Sequence, residues 1–130
     1  MNKMIKLRES GRILYISSVD LSVGNGPGVN EREFALALYN AIGERVHFLI
    51  PQPEYPFDEL PGAVCTYSLP HKRHHPLYLI SHMVSQARLA DHLISTHKFD
   101  FLVFRLDLFP IAPRHITRKH HIPYAIKTLG

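Results

Sequence analysis

Residues 12–50 constrain the fold more tightly than any other stretch. RILYISS (12–18) is an apolar, β-rich run of strand length, and VDLSVGNGPGV (19–29) is a loop with three glycines and a proline. NEREFALALYNAIG (30–43) carries helix signals, and ERVHFLIP (44–51) is a second strand. Asn30 suits an N-cap, Glu33 three residues on completes a capping-box pair, and Gly43 suits the C-cap. Phe34, Leu38, Ala41 and Ile42 recur at helical spacing around Ala37, so one stripe of this helix faces a sheet. The unbroken run Ile13, Leu14, Tyr15, Ile16 suits a parallel strand covered on both faces. A strand, a crossover helix and a second strand then form a right-handed unit.

The remainder repeats the alternation. After the proline-rich stretch 51–62, AVCTYSLP (63–70) is a third strand, followed by the basic turn HKRHHP (71–76). Residues 77–98 form the longest helix, with Ile80, Met83, Val84, Ala87, Ala90 and Ile94 on its apolar face. His82, Gln86, Arg88 and Asp91 lie largely off that face. FDFLVFR (99–105) is a fourth strand, 113–121 a short basic helix and 122–130 a fifth strand. The order predicts an α/β, Rossmann-like three-layer domain over 12–130, with a mostly parallel sheet of about five strands and helices on both faces. Residues 1–11 form a basic, flexible lead-in.

At 130 residues the chain is long enough for one substantial core. Its formal net charge of +4 points to an anionic partner. A single cysteine, Cys65, cannot form an internal disulfide, which favours a reducing compartment. No apolar run approaches the roughly 20 residues of a membrane span, and the first residues lack a signal-peptide core. The expected location is cytoplasmic.

Ligands of open parallel sheets collect beyond the carboxyl ends of the strands. There Gly24, Asn25, Gly26 and Gly28 form a loop whose backbone N–H groups can approach an anion at a helix N-terminus. Its GxGxG spacing misses the dinucleotide fingerprint GxGxxG, no P-loop is present, and a turn whose glycines serve only geometry is the competing reading. Arg105 closes the fourth strand, where its planar fork can hold phosphate or sugar hydroxyls; an Arg105–Asp107 surface pair is the alternative. Asp20 and Asp107 sit in cleft loops as catalytic candidates without an evident partner. Lys72 and Arg73, with Arg114, Arg118 and Lys119, mark a basic face suited to an anionic membrane surface. Histidines set among lysines and arginines lack zinc-site spacing, so no metal is expected. The aromatics are not interleaved with the basic runs, so nucleic acid is not expected either.

RILYIS, GNGPGVNERE, FALALYNAIG, VHFLIP, LISHMVSQARLADHLI, FDFLVFR and IAPRHITRKHHIPYAIKTLG resemble, in that order, the N-terminal acceptor-side domain of GT-B glycosyltransferases, family 4 (glycosyl transferase group 1). The resemblance implies transfer of a sugar from a nucleotide-diphosphate sugar to an acceptor with no required metal or cofactor. Gly24, Gly26, Gly28 and Arg105 would then line the cleft. It further implies a donor-binding C-terminal domain, without which these residues would be inactive. The alternatives are a nucleotide- or anion-binding module of flavodoxin-like type, with Asp20 and Lys127 as faint echoes of a receiver domain, and a non-catalytic interaction domain.

Overall fold

The computed structural model describes residues 11–22, 24, 26–55, 63–67, 76–105 and 111–127. In chain order these form β1 (Ile13–Ile16), α1 (Gly26–Ile42), β2 (Val46–Pro51), β3 (Ala63–Tyr67), α2 (Tyr78–Thr96), β4 (Phe101–Arg105), α3 (Ile111–His120) and β5 (Tyr124–Lys127). The strands make one sheet in the order β3-β2-β1-β4-β5, and every neighbouring pair is parallel. The α/β class and the parallel sheet agree with the sequence.

Strand β1 is the centre of the sheet, and its four residues are all buried. The pleat divides them between two cores. Ile13 and Tyr15 join Val46, Phe48, Ile50 and Ala35 beneath α1. Leu14 and Ile16 join Leu49, Leu102 and Phe104 on the other face, against Ala90 and Leu93 of α2 and Ile116 of α3. Helix α1 opens earlier than the capping signals suggested. Asn30 lies inside it, so the expected Asn30–Glu33 capping box is not what starts the helix. Proline is tolerated in a first turn, where its missing N–H has no partner to lose, and Pro27 occupies that turn here. At the other end Gly43 takes φ +68°, the left-handed cap that favours glycine.

Helix α2 departs from its sequence pattern. His82, Gln86, Ala90 and Leu93 are buried, whereas Ile80 and Val84 are 55% and 45% exposed. The buried stripe is offset by about 100° from the apolar one, a rotation of one residue. The C-terminal half of the apolar stripe is still covered, since Ala87 and Ile94 pack against the core. Asp91, in the same turns, meets α3. The first turns keep Leu77, Ile80 and Val84 in solvent. Substituting Ile80→Lys should therefore shift the urea midpoint by no more than the equivalent of about 0.5 kcal/mol. Phe104→Ala, from the core, should cost about 3–5 kcal/mol. A large loss from Ile80→Lys would show that this face is covered.

At the amino end of β2, the His47 ring lies 5.1 Å from that of His97 and 5.2 Å from that of Phe99. Burial, and then the charges of His97 and Arg12, hold His47 below its ordinary 6.5. The unfolded chain therefore binds this proton more readily than the folded one. Stability is full above pH 6.5 and falls as the pH drops through the folded value. His47→Phe should flatten that part of the stability–pH curve measured by chemical denaturation; an unchanged slope would assign it to other groups.

Candidate functional site

The parallel register sets the site. Ser17 continues the Ile13, Tyr15 face of β1, and Arg105 continues the Phe101, Val103 face of β4. Arg105 pairs in register with Lys127 at the end of β5. Three neighbouring strands thus present Tyr15, Ser17, Arg105 and Lys127 on one face, at their carboxyl ends. The second turn of α1 lies over them and supplies Glu31, which is fully buried.

Glu31 is the centre of this group. Its Oε1 accepts hydrogen bonds from the Tyr15 hydroxyl and, at 3.1 Å, from Ser17 Oγ. Its Oε2 lies 2.8 Å from Lys127 Nζ and 3.2 Å from Arg105 Nε. The lysine also stands over the Phe34 ring, 5.1 Å from its centroid. Burial first, then the Glu31 carboxylate, push the Tyr15 phenol far above its ordinary range, so it stays a donor. The Arg105 contact has ion-pair distance without hydrogen-bond direction: its buried Nε–H has no acceptor among the described residues. Among the described residues, two cations against one carboxylate leave one unit of positive charge here, with the Arg105 and Lys127 side chains 16% and 22% exposed.

The other side of the β1 end is also polar. Ser18 faces α2, and its Oγ accepts a 3.0 Å bond from Gln86 Nε2. Asp20 binds within the chain: Oδ1 accepts from Ser22 N–H and Oγ–H, and Oδ2 accepts from Glu54 N–H at 3.0 Å. Tyr55 N–H donates to Ser22 Oγ at 3.1 Å. These bonds join the loop after β1 to the residues after β2.

Among the other expected site residues, Gly24 and Gly26 are exposed, and a Cβ on either would meet nothing within 4 Å. Gly28 is buried in the first turn of α1. Asn25, Asp107, Lys72 and Arg73 lie outside the described residues. Arg114 and Arg118 are exposed on α3. Lys119 is 3.4 Å from Asp91, which also lies 3.0 Å from His115 Nε2 and 2.7 Å from His120 Nε2. Burial raises the Asp91 carboxyl, but the bonds from His120 and His115 and the Lys119 charge outweigh it and hold the group below its ordinary value. No group of three or more metal-ligating side chains occurs among the described residues, and no helix among them is long and apolar enough to cross a membrane.

Sequence reasoning identified Arg105 but not Tyr15, Ser17 or Glu31, and treated Lys127 as lying inside a strand. The available signal was parity: a serine ending one central strand and an arginine ending its neighbour both follow apolar residues of the same face. Glu31→Gln should remove the charge that balances Arg105 and Lys127 and cost about 3 kcal/mol in urea denaturation. A loss below about 1 kcal/mol would mean that solvent, rather than Glu31, balances the two cations.

No family model matches the chain, and no curated protein matches it. Its fold is shared by crystal structures of the C-terminal domain of a hydrogenase from Pyrococcus furiosus. One is 12% identical with a TM-score of 0.68, covering 98% of each chain. A second is 16% identical with a TM-score of 0.62, covering 95% of this chain and 96% of that one. Such identities establish likeness of fold alone. The resemblance to family 4 glycosyltransferases is corrected accordingly, because the structural likeness over nearly the whole chain runs to the hydrogenase domain. RILYIS, GNGPGVNERE, FALALYNAIG and VHFLIP spell a strand, a glycine loop, a helix and a strand, which many parallel α/β sheets share. That texture reports the winding of the chain and carries no information about sugar transfer.

Proposed function

We propose that this chain is a Rossmann-like module, its strand order differing from the flavodoxin-like 2-1-3-4-5, that binds a small phosphate-bearing anion at the junction of β1 and β4. The order β3-β2-β1-β4-β5 reverses direction there, because α1 leads from β1 to one side and α2 returns the chain to the other. Open α/β sheets hold their ligands at such a switch point. The observation that carries the reading is the charge arrangement: Arg105 and Lys127 at two adjacent strand ends, opposed among the described residues by Glu31 alone. The Arg105 Nε–H, without an acceptor among the described residues, adds a buried donor whose loss of a partner costs ~1–3 kcal/mol, a cost an anionic oxygen would offset. Exposed Gly24 and Gly26 leave open space beside the α1 N-terminus, whose dipole favours negative charge. Glu31 holds the two cations in place and keeps the site from repelling itself when empty.

The bonds from Asp20 and Ser22 to the residues after β2 lie where the adenosine half of a dinucleotide would run. The ligand is therefore smaller than a dinucleotide, and binding calls for no resident cofactor or metal. A chain with these properties works away from the membrane interior, in the cytoplasm, and the exposed Arg114 and Arg118 of α3 lie on a different helix from the site.

Thermal unfolding with inorganic phosphate, at ionic strength matched by sodium chloride, checks this reading. Phosphate at a hundred times its Kd should add about 2.7 kcal/mol of stability and raise Tm by several degrees. Arg105→Gln should abolish the rise. Equal melting in phosphate and chloride would overturn the reading.

A further inference from the structure

Strand β5 ends the sheet on the side away from β3, and among the described residues it pairs only with β4. In a parallel ladder successive residues turn their backbone groups alternately to one side and the other. Leu102 N–H donates to Pro123 O at 2.9 Å, and Leu102 stands across from Tyr124. Pro123, Ala125 and Lys127 therefore direct their backbone groups to β4, while the N–H and C=O of Tyr124 and Ile126 point out of the sheet. The side chains at those two positions are open as well, 49% and 44% exposed. A sheet edge is usually blunted by an exposed lysine, a proline within the strand or a bulge. Here Lys127, the one charge in β5, is turned onto Glu31, Pro123 precedes the strand, and the register runs unbroken. What remains is a short apolar edge whose outward N–H and C=O groups have no partner among the described residues.

Tyr124 and Ile126 share a face of the sheet with Leu102 and Phe104, and the Tyr124 ring meets Phe104 edge-on at 6.1 Å between centroids. Helix α3, the crossover from β4 to β5, packs on that face through Ile116 and carries no acid. Arg114 and Arg118 stand two residues to either side of Ile116, so both project from the outer side of the helix, one turn apart. Neither forms an ion pair among the described residues, and Asp91, the acid that α3 meets on α2, is taken up by His115, Lys119 and His120. The field of the two arginines extends ~10 Å at 0.1 M salt and favours negative charge along the adjoining edge. We propose that the β5 edge is a docking site for an extended, acidic segment of a partner protein, which adds to the sheet as a further strand. Two outward-facing residues supply few backbone bonds, each worth ~0.5–1.5 kcal/mol net, so charge and the exposed side chains decide the partner. A second copy of this chain fits less well. Antiparallel pairing of two β5 strands about a two-fold axis leaves both α3 helices on one face, basic beside basic. A membrane also fits less well, since hydrocarbon cannot satisfy the outward N–H and C=O groups.

Two capped peptides test this, one alternating valine with glutamate and one alternating valine with lysine, with amide hydrogen exchange of the whole chain as the readout. The glutamate peptide should slow exchange at Tyr124 and Ile126 by about tenfold or more, and the lysine peptide should not bind. Arg114→Glu together with Arg118→Glu should weaken the glutamate peptide by about tenfold at low salt and let the lysine peptide bind. Ile126→Pro removes one outward N–H without touching the ladder to β4, and should abolish binding. Both arginines are exposed, so their double variant keeps the test open should Ile126→Pro unfold the edge. Equal binding of both peptides, binding of neither, or protection away from β5 would overturn the proposal. Protection that grows with chain concentration and needs no peptide would overturn it in favour of a second copy. Binding to phosphatidylserine vesicles in place of the peptide would overturn it in favour of a membrane. The side chains of Arg105 and Lys127 face Glu31 and take no part at this edge, so the phosphate measurement stands or falls separately.

Discussion

The Glu31 carboxylate is the interaction on which the carboxyl edge of the sheet depends. It is fully buried, and its two oxygens contact groups from β1, the residue after it, β4 and β5. A charge in that position would be prohibitive alone, and so would two cations at adjacent strand ends without it. Each makes the other tolerable. The parallel register is what allows it: Arg105 and Lys127 are directly paired, so one carboxylate can reach both. A slip of one residue in β5 would send Lys127 to the opposite face of the sheet.

The same edge shows a division of labour. Asp20 and Ser22 spend their hydrogen bonds holding the chain after β2. Glu31 organises charge, and the inverted face of α2 brings His82 and Gln86 to the other side of β1. Asp91 does comparable work elsewhere, fastening α3 to α2 through His115, His120 and Lys119. A surface that looks uniformly basic in sequence is thus partly turned inward onto a single acid.

The architecture was legible because its signals are periodic: apolar runs for covered strands, a glycine for the end of α1, and alternation for the parallel sheet. Arg105 was legible because a charge that closes an apolar strand must sit at its edge. Tyr15 was hidden by its neighbours, since in the run ILYI its ring reads as core and its hydroxyl goes unnoticed. Glu31 was hidden by its helix, because one acid among Asn30, Arg32 and Glu33 looks like solvated surface. The rotation of α2 contradicted its own apolar pattern, and periodicity cannot foresee a helix that buries an amide in place of an isoleucine. The glycosyltransferase resemblance failed for a related reason: element order and loop texture follow from the winding, which proteins of unrelated activity share.

The pairing of Lys127 with Glu31 has a consequence for how the chain comes to be built. The two residues are 96 positions apart, so the carboxylate on the first helix is made long before its lysine. Arg105 arrives in between and can neutralise it only in part. During vectorial synthesis the earlier β1–α1–β2 unit therefore holds an acid that favours staying wet, and burying it becomes favourable only as the last strand docks. Long-range parallel pairing is slow in any case. Here electrostatics adds a checkpoint: the edge of the sheet closes when β5 arrives, and the cluster around Glu31 is completed in the same step.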